Sequence, residues 1–100
     1  MKNIVSISNA TYQTFADLLV FNLDNRDYLS DSISVVEGDI EITLSFSIVA
    51  HYSKSLDEET YGREVLSDIS PVWWNCETLD NGAPVNNDFS FDELKTRIIW

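Results

Sequence analysis

The feature that most constrains the fold is a long alternation of apolar and polar residues between Asp39 and Tyr52. The apolar positions are Ile40, Ile42, Leu44, Phe46, Ile48, Ala50 and Tyr52. The positions between them are Glu41, Thr43, Ser45, Ser47 and His51, with Val49 as the single exception. Side chains of a strand point alternately to its two faces, so this pattern predicts a strand with one buried and one hydrated face. Such alternation is typical of antiparallel sheets.

The segment before this strand predicts its hairpin partner. The run 32–36 is rich in β-branched residues, and Glu37-Gly38-Asp39 follows it with a glycine that favours a tight turn. After the long strand, the polar residues 53–60 predict a solvated loop.

Two more strands are expected beyond that loop. The first spans 61–69, with Val65 and Ile69 facing the same way. Pro71 has no N–H group to donate to a sheet, so it indicates an edge, a bulge or the end of that strand. The next strand spans 72–78, and Asp80-Asn81-Gly82 predicts a turn before a connector over 83–88.

Helices are expected at both ends of the chain. Ser90 and Glu93 match a capping box, which predicts a helix from Phe91 to about Ile99. Apolar residues at helical spacing predict another helix from about Thr11 to Leu23, which Ser8 or Asn9 can cap. The continuous apolar run within 18–23 leaves a strand as the alternative there.

The fold class that follows is α+β, in a single domain spanning 1–100. We expect a two-layer sandwich with an N-terminal helix, an antiparallel sheet of three or four strands and a C-terminal helix. No secretory signal and no membrane-spanning run is recognised, and Cys76 is the only cysteine. A cytoplasmic location is the expectation that these features favour.

The charge of the chain restricts its partners. Seventeen acidic residues stand against six basic ones, which gives a formal net charge of -11. This charge repels nucleic-acid phosphates and anionic membranes, so neither is expected as a direct partner. It favours a basic protein.

No catalytic, metal or cofactor site is predicted. Cys76 and His51 are the only residues of their types, and nothing in their spacing indicates a nucleophile and its base. The acidic run 24–31 departs from calcium-loop patterns, and the three glycines are too dispersed for a phosphate-binding loop.

The adjacent Trp73 and Trp74 are the remaining candidate feature. On a strand they point to opposite faces, so one can join the core while the other is covered by a loop, by Trp100 or by a partner. The candidate interface residues are Trp73, Trp74, Glu41, Thr43 and Ser45.

Two functions fit these observations. The first is a small non-catalytic protein-binding or assembly module, for which a homodimer through strand edges is one form. The second is an inhibitor that mimics nucleic acid and occupies the basic groove of a defence or restriction nuclease. In size and charge the chain is similar to small acidic proteins encoded by phages and mobile elements, and no motif assigns it to a family.

Overall fold

The sheet and helices of this protein are seen in a computed structural model that describes residues 4–54, 56, 62 and 64–99. Within these ranges the elements are β1 (Ile4–Val5), α1 (Asn9–Leu23), β2 (Tyr28–Glu37), β3 (Ile40–Lys54), β4 (Glu64–Asp80), β5 (Ala83–Asn87) and α2 (Phe91–Thr96). The strands form one sheet in the order β1-β5-β4-β3-β2. The predicted α+β class is confirmed, but the sheet is mixed and five-stranded rather than an antiparallel sheet of three or four strands.

The core lies between the helices and one face of β3. Ile42, Leu44, Phe46 and Ile48 are buried there, together with Phe15 and Leu19 of α1 and Leu94 of α2. The predicted alternation of β3 is therefore confirmed, and α1 and α2 contribute to one core on the same side of the sheet.

The predicted hairpin of β2 and β3 is also confirmed. Their register is uninterrupted from Tyr28 opposite Val49 to Glu37 opposite Ile40. Gly38 has a φ of 61° in the turn, a conformation that glycine adopts without steric cost. β2 starts before the predicted run 32–36 because its first residues complete the pairing with β3.

The predicted third and fourth strands are a single strand, β4. Pro71 lies within it beside Val72, an extra residue that separates the pairs Ser47–Trp73 and Ile48–Pro71. The proline therefore indicates a bulge rather than an end, because its missing N–H group does not interrupt the pairing with β3.

A second bulge in β4 makes one sequence expectation wrong. Ser67 is an extra residue between the pairs His51–Asp68 and Tyr52–Leu66. It reverses the alternation, so Ile69 is buried while Val65 lies on the other face and is exposed. The expected loop 53–60 begins later than predicted, since Ser53 and Lys54 belong to β3; residues 55 and 57–60 lie outside the described ranges.

The expected connector over 83–88 contains a strand. Asn81 and Gly82 have φ values of 51° and 83°, as in the two-residue turn of a hairpin, and Ala83 then pairs with Asp80. β5 also pairs in parallel with β1, Ile4 opposite Asn86. A two-residue strand has no periodicity to detect, which is why the sequence analysis misses β1.

Helix α1 confirms the helical interpretation of the N-terminal third. The Ser8 hydroxyl caps it by accepting from the Thr11 N–H at 3.1 Å. Asp24 ends it in the left-handed conformation, with a φ of 45°. The same first turn binds β2, because Ser8 Oγ and Thr11 Oγ1 both donate to Glu37 Oε1.

Helix α2 begins where predicted but ends at Thr96, before the expected Ile99. Ser90 Oγ accepts from the Glu93 N–H at 3.3 Å, which is half of the predicted capping box. The other half is replaced, since the Ser90 N–H donates to the Tyr12 hydroxyl of α1 at 3.0 Å. This exchange ties the two helices together.

Candidate functional site

The face of the sheet opposite the helices, which we call the outer face, is not covered by any described element. It consists of every second residue of β2, β3 and β4, starting with Glu41, Thr43, Ser45, Ser47, Val49 and His51 of β3. Both helices pack on the other side. What covers or binds the outer face therefore has to come from outside the described elements.

Three pairs of hydroxyl groups join β2 to β3 along the outer face. Ser30 lies 2.9 Å from Ser47, Ser32 lies 2.9 Å from Ser45, and Ser34 lies 2.8 Å from Thr43, each measured between side-chain oxygens. Directly opposed hydroxyls of this kind stabilise a pair of strands. The pairs hold their side chains in place, so this part of the outer face is an ordered polar surface.

An apolar patch lies beside these hydroxyls and consists of Tyr28, Val49 and Trp73. Tyr28 is directly opposite Val49, and Trp73 is opposite Ser47 on the neighbouring strand. Trp73 keeps 53% of its surface exposed and Tyr28 keeps 52%. Large exposed aromatic side chains on one face of a sheet are typical of contact surfaces.

Trp74 lies on the opposite face, as the alternation of β4 predicts. It is opposite the buried Phe46. Its ring centroid is 5.3 Å from that of Phe89 and 6.1 Å from that of Phe91. Trp74 therefore extends the aromatic part of the core, although 41% of its surface is exposed. Trp100, the alternative cover for a tryptophan, lies outside the described ranges.

The structure brings together only some of the predicted interface residues. Ser45 is in the row next to Ser47 and Trp73. Thr43 is one row further on, opposite Glu77. Glu41 is six residues from Ser47, about 20 Å along the strand, and Trp74 faces the helices.

Two members of the apolar patch were missed by sequence reasoning. Val49 is the single exception to the alternation of β3, and an apolar residue in a polar position is a signal that could have found it. Tyr28 gives no such signal, because it lies before the run 32–36 from which the hairpin strand is predicted.

His51 and Cys76 do not form a catalytic pair. Cys76 faces the helices opposite Leu44, and His51 lies on the outer face opposite Asp68. Seven residues of β3 separate the two rows, about 23 Å. Burial raises the pKa of the Cys76 thiol to about 11, so it is a poor nucleophile at neutral pH.

His51 does meet a serine, which the sequence analysis did not predict. Its Nε2 lies 3.1 Å from Ser70 Oγ. A nucleophilic serine also needs a carboxylate to orient the histidine. The nearby Asp68 is held instead by Lys95 at 2.5 Å, and that hydrogen bond lowers the pKa of the Asp68 carboxyl. Among the described residues, no other hydrogen bond orients the His51 ring.

The placement of possible metal ligands and the character of the helices bear on metal binding and on membrane spanning. The described residues contain no group of three or more His, Cys, Asp or Glu side chains arranged to hold a metal ion. No helix in the same ranges combines the length and the apolar character needed to cross a bilayer.

The outer face cannot be assigned by likeness to another protein. No protein-family model, curated protein or solved structure matches this chain.

Proposed function

We propose that this chain is a non-catalytic protein-binding module, and that a protein partner contacts the outer face around Trp73. The observation that carries the proposal is the exposure of Trp73 on an ordered sheet surface beside Tyr28 and Val49. Tryptophan and tyrosine are enriched among the residues that contribute most to binding energy. The polar side chains beside them suit the rim of an interface, which is polar and solvent-accessible.

The rigidity of this surface supports the same conclusion. The Ser30–Ser47 hydroxyl pair, 2.9 Å apart, adjoins the position of Trp73 opposite Ser47. Side chains that are already ordered lose less conformational entropy when a partner binds. The apolar patch is therefore prepared for contact without rearrangement of the strands.

Charge indicates the chemistry of the partner. Glu41 and Glu77 lie on the outer face, opposite Leu79 and Thr43 respectively, and the whole chain has a formal net charge of -11. A partner with an apolar centre and a basic rim would complement both the aromatic side chains and these carboxylates. Attraction between opposite charges would mainly accelerate association, whereas burial of Trp73 would determine affinity.

The test compares two exposed aromatic side chains. Trp73→Ala removes the centre of the proposed contact, and Phe21→Ala removes a 79% exposed side chain of α1 as the matched control. Immobilised protein is used to capture a partner from lysate, the partner is identified, and its affinity is measured with purified components. We expect Trp73→Ala to weaken binding about tenfold or more and Phe21→Ala to leave it unchanged.

Salt separates this proposal from its rival. Binding that persists at high salt and depends on Trp73 supports the proposal. Capture of a nuclease or another nucleic-acid-binding protein that disappears with salt, equally in both variants, would overturn it in favour of nucleic-acid mimicry.

A further inference from the structure

The hydrogen-bonding pattern of β2 indicates which of its backbone groups face away from the sheet. The Ala50 N–H of β3 donates to the Asp27 carbonyl at 2.7 Å, which makes this a hydrogen-bonded pair. In an antiparallel ladder such pairs alternate with pairs that do not exchange backbone hydrogen bonds. The residues whose N–H and C=O groups point away from β3 are therefore Tyr28, Ser30, Ser32, Ser34 and Val36.

This edge is long and regular. β2 contains no proline, and its register with β3 has no bulge over ten residues. Straight edges with free backbone groups pair readily with a further strand. Among the described residues, one side chain occupies a backbone group of this edge, and we call it the guard. It is Asp31, whose Oδ1 accepts from the Ser32 N–H at 2.8 Å while its Oδ2 accepts from Asn22 at 2.9 Å.

We propose that a second copy of this chain pairs with β2 in antiparallel fashion, about a two-fold axis at Ser32. In this register Ser30 lies opposite Ser34 of the second copy, and Tyr28 lies opposite Val36 of the second copy. All five residues whose N–H and C=O groups point away from β3 are then paired, which forms about ten main-chain hydrogen bonds. That number matches an ordinary protein–protein interface.

The side chains fit the same register. Tyr28 and Val36 are the exposed large apolar residues of β2, with 52% and 67% of their surfaces accessible. The two-fold axis brings each against the other, and an aromatic residue opposite a β-branched one stabilises a strand pair. The hydroxyls of Ser30 and Ser34 would continue the rows formed with β3 across both copies.

Helix α1 adds apolar contact at the same edge. Thr11 binds Glu37 and Asn22 binds Asp31, so this side of the helix faces β2. Leu18 shares that side, because it is seven residues after Thr11 and four before Asn22. It is 38% exposed. The two-fold axis places α1 of both copies along the shared strand pair, with Leu18 on the approaching sides.

The negative charge of the chain makes the stability of the proposed dimer depend on salt concentration. Each copy carries a formal net charge of -11, and Asp31 lies beside the axis in both. Like charges repel at low salt and are screened at high salt. The dimer should therefore strengthen with salt, the opposite of a contact made by complementary charges.

The first experiment measures molar mass by sedimentation over a range of protein concentrations. We expect a rise from 11.4 kDa towards twice that value, and a larger rise at high salt. Ser32→Pro removes an outward N–H without breaking the β2–β3 ladder, so it should weaken association at least tenfold while the fold is retained. Ser32→Ala keeps the N–H and should associate as the unchanged protein does. A mass that stays at one copy under every condition would overturn the proposal.

Amide hydrogen exchange locates the interface. The N–H groups of Ser30, Ser32 and Ser34 should exchange slowly at high concentration and quickly in Ser32→Pro at its remaining positions. A dimer in which these N–H groups still exchange quickly would overturn pairing through the edge of β2. Protection that needs a different protein, with this chain alone monomeric, would also overturn it and assign the edge to that protein's strand. Neither readout depends on Trp73, so this inference and the proposed function fail separately.

Discussion

The two long edges of the sheet, the outer edge of β2 and the flank of β4 beyond its short pairing with β5, are protected in different ways. On β4 the pairing with β5 ends at Thr78, and the next outward carbonyl, that of Cys76, accepts from the Asn87 side chain at 3.0 Å. Pro71 has no N–H to offer, and Val72 and Ser67 bulge the strand. On β2 the guard is one carboxylate, Asp31.

This difference separates permanent from reversible protection. Proline is part of the covalent chain, and the two bulges are fixed by the pairing of β4 with β3. The β4 flank therefore stays a poor template for another strand in any solvent in which the sheet is folded. The hydrogen bond from the Ser32 N–H to Asp31 lies at the surface, where water and other acceptors compete with it. We infer that the protein leaves one edge available and closes the other.

The largest effect is expected from a proline at a position of β2 whose N–H group points towards β3. Ile33 is opposite Leu44, and by the alternation described above its N–H points to β3. Ile33→Pro should lower the free energy of unfolding by about 1–3 kcal/mol beyond the loss in Ile33→Ala, because it also removes a ladder hydrogen bond and leaves the acceptor on β3 unpaired, whereas Ile33→Ala removes only the buried side chain. Urea unfolding measures both. An equal loss in the two variants would contradict the assigned direction of the β2 backbone.

A smaller effect in the opposite direction is expected from removal of the guard. Asp31→Ala frees the Ser32 N–H and removes two like charges beside the axis, so self-association should strengthen about tenfold, or about 1.4 kcal/mol. Asp39→Ala removes the same charge from the exposed β2–β3 turn and is the matched control. Sedimentation compares them; equal strengthening would mean that net charge alone controls association.

The smallest effect concerns the end of β2 that α1 holds. Hydrogen bonds from Ser8, first, and from Thr11 lower the pKa of the Glu37 carboxyl below its ordinary value of 4.5. A lowered pKa contributes stability above the ordinary pKa, and that stability is lost as the pH falls through the folded-state pKa. Glu37→Gln should therefore cost about 1 kcal/mol at neutral pH, because Glu37 is only partly buried.

The check on Glu37 is the pH dependence of that cost. The free energy of unfolding of both proteins is measured in urea at neutral pH and well below pH 4.5. Subtracting one value from the other at each pH removes the contributions of the other acids, which the two proteins share. The difference between them should shrink at the lower pH. A difference that is the same at both would show that the hydrogen bonds do not depend on the charge of Glu37.

Local patterns were enough to predict much of the fold. The alternation of β3, the glycine turn before it and the capping serines each act over a few residues, and each element they predict is present. The bulges at Ser67 and Val72 depend on how β4 pairs with β3, and the residues of β4 alone do not determine that pairing. β1 is two residues long and forms only because β5 is beside it.

Less of the candidate site could be predicted from local patterns. The opposite orientations of Trp73 and Trp74 follow from alternation and are confirmed. The position of Trp73 on the same face as Tyr28 and Val49 depends on the register of three strands, and register is a property of the folded sheet. Glu41 lies far from Trp73 for the same reason, since residues on one face of a sheet can still be far apart.

The alternation of β3 has a consequence for engineering. Its side chains on the outer face, such as Thr43, Ser45 and Ser47, lie outside the core, so replacing them loses the hydroxyl pairs with β2 but leaves the buried face intact. A library that randomises these positions would retain the helices and the buried strand face while presenting new side chains on one face of the sheet. The chain is thus a natural starting scaffold for selecting binders.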